Sequence, residues 1–211
     1  MTPQAKPLIA VVSCKRDREN GRQNAVHDTW LREWPSIDTI IVLGEGNLPV
    51  HAPNEFICSV PDDYNGVVHK FNAARRWALL GGYTHLFHAC IDTWICVPRL
   101  MTSGFEQHDY TGYRCDEGHG SGGMGYWCSQ KAIKVLLQEP VVEGAYEDLW
   151  VGHTLARNDI PLYEDRRYSS PANPNRPDNE ITLHLSRGTD NYDPQWMYDA
   201  HKHFMETGNV K

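Results

Sequence analysis

Long apolar runs are missing from this 211-residue sequence. The run Pro7–Cys14 (PLIAVVSC) is far short of the ~18 residues a spanning helix needs, and no basic segment precedes it as in a secretory signal. A soluble, cytoplasmic protein with no membrane partner is the expectation. Positive charge is scarce too: 20 Lys and Arg face 27 Asp and Glu, a net charge of −7. Wholesale nucleic-acid binding, which needs a basic face, is disfavoured. The pairs Arg75-Arg76 and Arg166-Arg167 keep a small anion site open. Six cysteines (Cys14, Cys58, Cys90, Cys96, Cys115 and Cys128) include no Cys-x-x-Cys pair, and a chain of this length needs no covalent staples. Reduced thiols are expected. There is no Gly-x-Gly-x-x-Gly after the first strand, no Gly-Lys-Ser/Thr loop and no Gly-x-Ser-x-Gly elbow. Dinucleotide, P-loop and serine-hydrolase readings therefore fail. His201 and His203 have no Cys or Glu at ligand spacing, which disfavours a zinc site.

What is present is a globular composition, 40% apolar and 22% charged, at a length suited to one domain spanning residues 1–211. Pro7–Cys14, Thr39–Leu43, Asn54–Val60 and Thr84–Asp92 are short β-branched apolar runs that read as buried strands. Asn24–Trp34 and Val67–Leu80 between them carry helical periodicity, the second with Phe71, Ala74 and Ala78 on one face. That alternation predicts a parallel sheet with helices on its faces. The remainder reads as strands at Tyr110–Tyr113, Tyr126–Ser129 and Ile181–Leu185, and helices at Lys131–Gln138, Glu147–Arg157 and Pro194–Glu206. Ser169–Asn179 is a Pro- and Asn-rich loop. Ligands in such folds sit beyond the carboxyl ends of the strands. Cys14-Lys15-Arg16, Pro61-Asp62-Asp63 and Cys90-Ile91-Asp92 all fall there.

Four segments, in order, carry a resemblance. They are Asn24–Trp30 (NAVHDTW), Asp63–Lys70 (DYNGVVHK), Gly122–Ser129 (GGMGYWCS) and Tyr146–Gly152 (YEDLWVG). Together they resemble glycosyltransferase family 31, the β-1,3-galactosyltransferase and Fringe-like enzymes. The resemblance implies an α/β fold of GT-A type, with a Rossmann-like, mostly parallel sheet. A nucleotide-binding half would cover about 7–100 and an acceptor half about 101–211. It further implies a UDP-sugar donor, an Mn²⁺ (or Mg²⁺) cofactor and inverting transfer of a hexose to a hydroxyl. The acceptor would be a glycan, a protein or a hydroxymethylated DNA base, with Arg166, Arg167 and Arg176 as a basic rim for the last. Family members in eukaryotes are membrane-anchored in the secretory pathway; a chain without anchor or stem points instead to a bacterium or a virus-infected cell.

The chemistry accounts for these residue types. Expelling a diphosphate develops negative charge, which a hard cation held by oxygen ligands neutralises. The family places three acidic residues at the strand end, where this chain has Cys90-Ile91-Asp92. Asp92 is the expected metal ligand, with His184 as the second. Cys90 and Ile91 fall at donor-binding positions, as do Ser13, Arg22, His27, Asp62, Asp63, Lys70, Gly122 and Gly123. Asp148 is the expected general base, and Glu147 orients the sugar or the helix start. Tyr126 and Trp127 wall the sugar site or pack in the core. The loss of two acids at Cys90-Ile91 keeps a second reading open, a non-catalytic nucleotide-sugar-binding module.

Overall fold

The computed structural model describes residues 5–46, 49–142, 144–171, 173, 175–186 and 192–209. Within the expected loop, Ala172 and Pro174 lie outside the described residues. Strands β1 (Pro7–Val12), β2 (Thr39–Leu43), β3 (Glu55–Ile57) and β4 (His85–Cys90) pair in parallel, in the order β3-β2-β1-β4. Beyond β4, β7 (Tyr126–Ser129) runs antiparallel. It pairs antiparallel with β6 (Tyr110–Gly112), and β8 (Tyr163–Glu164) closes the edge parallel to β6. The mostly parallel α/β architecture expected from the sequence is the one found.

Both faces of the sheet are buried, which is why its strands read as continuous apolar runs rather than alternating ones. Ile9, Val11, Ile41, Leu43, Phe87 and Trp127 pack against one core, with α2 (Arg22–Val26), α4 (Val97–Met101) and α7 (Pro194–Thr207). Leu8, Ala10, Val42, Leu86, Tyr126 and Cys128 face the other, beneath α3 (Val67–Leu80), α5 (Gln130–Gln138) and α6 (Glu147–Arg157). No helix among the described residues is long and apolar enough to cross a membrane.

Three expectations are adjusted. The third strand stops at Ile57, because the Val60 N–H turns back to the Cys58 carbonyl at 2.9 Å and bends the chain. The helix expected over Asn24–Trp34 is preceded by an unforeseen short helix, α1 (Lys15–Glu19), starts at Arg22 and is kinked at Thr29 (φ −109°, ψ −113°), whose hydroxyl donates to the Ala25 carbonyl. The fourth strand ends at Cys90, since Ile91-Asp92 turns the chain into β5 (Thr93–Ile95) of a second sheet. In that sheet β10 (Thr182–His184) lies antiparallel to β5 and parallel to β9 (Tyr168–Ser169). Strands of two and three residues leave almost no period to detect.

Candidate active site

The second sheet builds the first half of the site. Antiparallel pairing sets His184 opposite Thr93, the residue after Asp92, and the Leu185 N–H donates to the Asp92 carbonyl at 2.9 Å. The Asp92 carboxylate and the His184 imidazole therefore meet, Oδ2 to Nε2 at 3.1 Å. Both are only partly buried.

Helix α6 supplies the second half. Asp148 lies in its first turn, where the unpaired amides and the helix dipole favour a carboxylate. Its Oδ1 accepts the Leu149 N–H at 2.9 Å and its Oδ2 accepts the Gly122 N–H at 3.0 Å. One dipeptide links the two halves. The Gly122 carbonyl accepts the Cys90 thiol at 3.6 Å, and the Gly123 carbonyl accepts the Thr93 hydroxyl at 2.8 Å. A Cβ on Gly122 would lie 3.1 Å from the Asp148 carboxylate, and one on Gly123 would lie 2.5 Å from the His184 ring. At Gly123 an added methyl would force the His184 ring to shift, while at Gly122 it would only crowd the Asp148 carboxylate.

Gly123→Ala is accordingly expected to displace the His184 ring from Asp92 while leaving Asp148 in place. If the pair binds a cation, Mn²⁺-supported UDP affinity should fall ~10–100-fold, a loss typical when a ligand's support is removed. Titration calorimetry with and without Mn²⁺ measures it, and an unchanged metal-dependent affinity would show that the ring moves freely.

Cys90 stands among four acids. Burial first, then the charges of Asp92, Glu147, Asp148 and Asp17, push its thiol well above the usual cysteine range, so it is a neutral donor. Glu147 and Asp17 are held by Arg75 and Arg22, which leaves Asp92 and Asp148 as the two of these acids able to face a cation. A carboxylate oxygen and an imidazole nitrogen are an acceptable donor pair for Mn²⁺, and the thiol adds little for so hard an ion. No cluster of three His, Cys, Asp or Glu able to hold a metal occurs among the described residues. The fit is thus a two-ligand one, with the remaining positions left for phosphate oxygens and water. Tyr192, unforeseen from the sequence, belongs to this corner. Burial, then the Asp92 charge, raises its phenol, and its hydroxyl is buried without a partner among the described residues.

Several expected site residues have other tasks. The Glu147 side chain points into the core, where its carboxylate meets Arg75 at 2.5 Å and the Tyr126 hydroxyl at 2.7 Å. Burial opposes its charge, but Arg75 outweighs it and holds the carboxyl near 2. Glu147 is therefore an anchor for the start of α6, not a group facing substrate. Tyr126 and Trp127 are fully buried, so neither walls a sugar site. Ile91 is a core residue, which leaves only its backbone to meet a donor.

Asp62 and Lys70 brace the ends of the first two strands. Asp62 accepts the Gly44 and Lys15 N–H groups at 2.7 and 2.6 Å, and pairs with Lys70 at 2.8 Å. Lys70 also donates to the Ser13 carbonyl at 2.8 Å, while the buried Ser13 hydroxyl reaches Gln23. Asp63 is exposed and caps its own turn by accepting the Gly66 N–H. Arg22 pairs with Asp17 at 3.0 Å and donates to the Tyr192 carbonyl. Burial lowers the pKa of His27, whose Nε2 has no partner among the described residues. Four of the five basic candidates are ion-paired, Arg75 with Glu147, Arg166 with Glu164, Arg167 with Asp165 and Arg176 with Glu180, while Arg76 is exposed.

No protein-family model matches the chain, and no curated protein matches it in sequence. Solved structures match it in fold. A glycosyltransferase involved in glycosylation of the major capsid of PBCV-1 aligns with a TM-score of 0.57 at 11% identity, over 93% of this chain and 100% of that one. The galactosyltransferase LgtC, solved with donor and acceptor sugar analogues, aligns at 0.51 and 9% identity, over 91% and 94%. An active-site variant of LgtC aligns equally well, at 0.51. The architecture is thus the GT-A glycosyltransferase fold.

Proposed function

We propose that the protein is an inverting glycosyltransferase of the family 31 type, moving a hexose from a UDP-sugar to an acceptor hydroxyl. The observation that carries this reading is the Gly122-Gly123 bridge, which sets Asp148 on one side and the Asp92–His184 pair on the other. Asp148 removes the proton from the acceptor hydroxyl as its oxygen forms the bond to the anomeric carbon. The bond from that carbon to the diphosphate oxygen breaks, and UDP leaves on the opposite face, so the configuration inverts. Asp92 and His184 would hold an Mn²⁺ ion, which supplies neutralising charge for the departing diphosphate. Glu147, locked to Arg75, fixes the helix turn that carries Asp148.

The second reading, a non-catalytic sugar-nucleotide module, is favoured by the neutral Cys90 thiol where the family has an acid. A donor-hydrolysis assay with Mn²⁺ separates the two, because a transferase passes its sugar slowly to water and a binding module does not. UDP titration with Asp92→Asn tests the site. Affinity should depend on Mn²⁺ in the parent and fall roughly tenfold or more in the variant. Equal affinity with and without metal would remove the cation from the mechanism.

A further inference from the structure

Large apolar side chains left open to water mark binding surfaces when they cluster. Tyr64 and Tyr146 are 70% and 60% exposed, distant in sequence, and meet edge to face with centroids 6.0 Å apart. The pair is attached to the candidate site through Tyr146, the N-cap of α6, directly before Glu147-Asp148, and the ring contact holds Tyr64 beside it. Partial burial, and then the charge of Asp148 ahead of that of Cys90, raises the Tyr64 phenol, which places it within electrical reach of the expected base.

The turn that presents Tyr64 is firmly built. The Val67 N–H donates to the Tyr64 carbonyl at 3.2 Å, the Gly66 N–H to Asp63 at 3.0 Å, and any Cβ on Gly66 would overlap the Pro61 carbonyl. An exposed aromatic pair on a fixed turn and a helix start is pre-organised, so little side-chain freedom is lost on binding. Aromatic faces attract the C–H-rich face of a pyranose ring, and nucleobases also stack on them. Charge decides between these. A nucleic-acid acceptor needs basic side chains to follow its phosphates. Here Arg166, Arg167 and Arg176 are all salt-bridged, and the chain carries a net charge of −7.

We propose that Tyr64 and Tyr146 form the acceptor subsite, and that the acceptor is a neutral sugar whose ring packs on them with its hydroxyl toward Asp148. This rests on the glycosyl-transfer reading. The test follows UDP release from UDP-hexoses with Mn²⁺ in water alone, then with methyl hexopyranosides and disaccharides, and then with a hydroxymethylcytosine-containing oligonucleotide. Saccharide should accelerate UDP release and the oligonucleotide should not. In the Tyr64→Ala/Tyr146→Ala double variant the ratio of transfer to hydrolysis should fall roughly tenfold or more, with a raised acceptor KM. The Phe/Phe variant, which keeps both ring faces, should retain most of that ratio. Acceleration by the oligonucleotide alone, a panel in which no saccharide is used, an unchanged ratio in the Ala variant, or equal loss in the Phe variant would each overturn the subsite. Absence of both donor hydrolysis and Mn²⁺-dependent UDP binding in the parent would instead overturn the transferase reading, and the subsite with it.

Discussion

Asp148→Asn is expected to keep donor affinity and fold while lowering turnover ~10²–10⁴-fold, the usual worth of a general base. The side-chain oxygen of asparagine can still accept the Gly122 N–H that Oδ2 accepts in the parent, so the bridge to the glycines survives. What asparagine cannot do is take the acceptor's proton. A group that acts mainly in the transition state shows its loss in kcat, not in ground-state affinity. If Asp148 were only a first-turn acid, its removal would cost up to ~1 kcal/mol of helix stabilisation and little rate. Turnover, UDP titration and melting temperature on one preparation distinguish these outcomes. Turnover close to that of the parent would remove Asp148 from the chemistry.

Arg75→Met should destabilise the protein by ~3–5 kcal/mol, because it strands the buried Glu147 carboxylate without its partner. For a chain of this size that is roughly a 6–20 °C fall in Tm. The pH dependence identifies the cause. In the parent, Glu147 titrates near 2 instead of at its ordinary 4.5, so its stabilisation is complete above 4.5 and is lost as pH falls toward 2. Burial, followed by the Arg75 charge, holds His88 near 4 rather than 6.5, so stability contributed by neutral His88 is also lost on acidification, between 6.5 and 4. In the variant the burial penalty on Glu147 is no longer opposed by Arg75, and His88, 3.6 Å away, can protonate to take its place. The Tm gap between parent and variant should therefore narrow as pH falls from 7 to 4. A gap constant over that range would mean that Arg75 contributes packing and not charge.

Arg75 also shows where the sequence runs short. A charged residue in a helix reads as a solvent-facing one, yet Arg75 lies four residues after Phe71 and three before Ala78, on the apolar stripe of α3. That placement was a usable signal of a buried ion pair, though nothing local names Glu147 as the partner. The strand–helix alternation that defines the parallel half was plain, because runs such as TIIVL at Thr39–Leu43 must be apolar on both faces. Asp92, His184, Asp148 and the two glycines stood out through motif order, whereas their meeting depends on three-residue strands with no period of their own. Thr93, which bonds the Gly123 carbonyl, had no signal at all. The same holds for the inward turn of Glu147: adjacent acids in a first helical turn look alike until the helix face is known.

Three of the six unpaired thiols give the molecule a set of internal reporters. Cys58 follows the edge strand β3, Cys96 follows β5 in the small sheet, and Cys128 sits at the centre of β7, all three buried. Burial, chiefly, pushes Cys128 up to about 12, so in the native state it offers neither access nor thiolate to an alkylating reagent. Each thiol can react only when its own neighbourhood opens. Alkylation rates at these positions therefore map local opening region by region without any engineered label. The edge at Cys58 should breathe most readily, and Cys128, hemmed between β4 and β6, should wait for global unfolding.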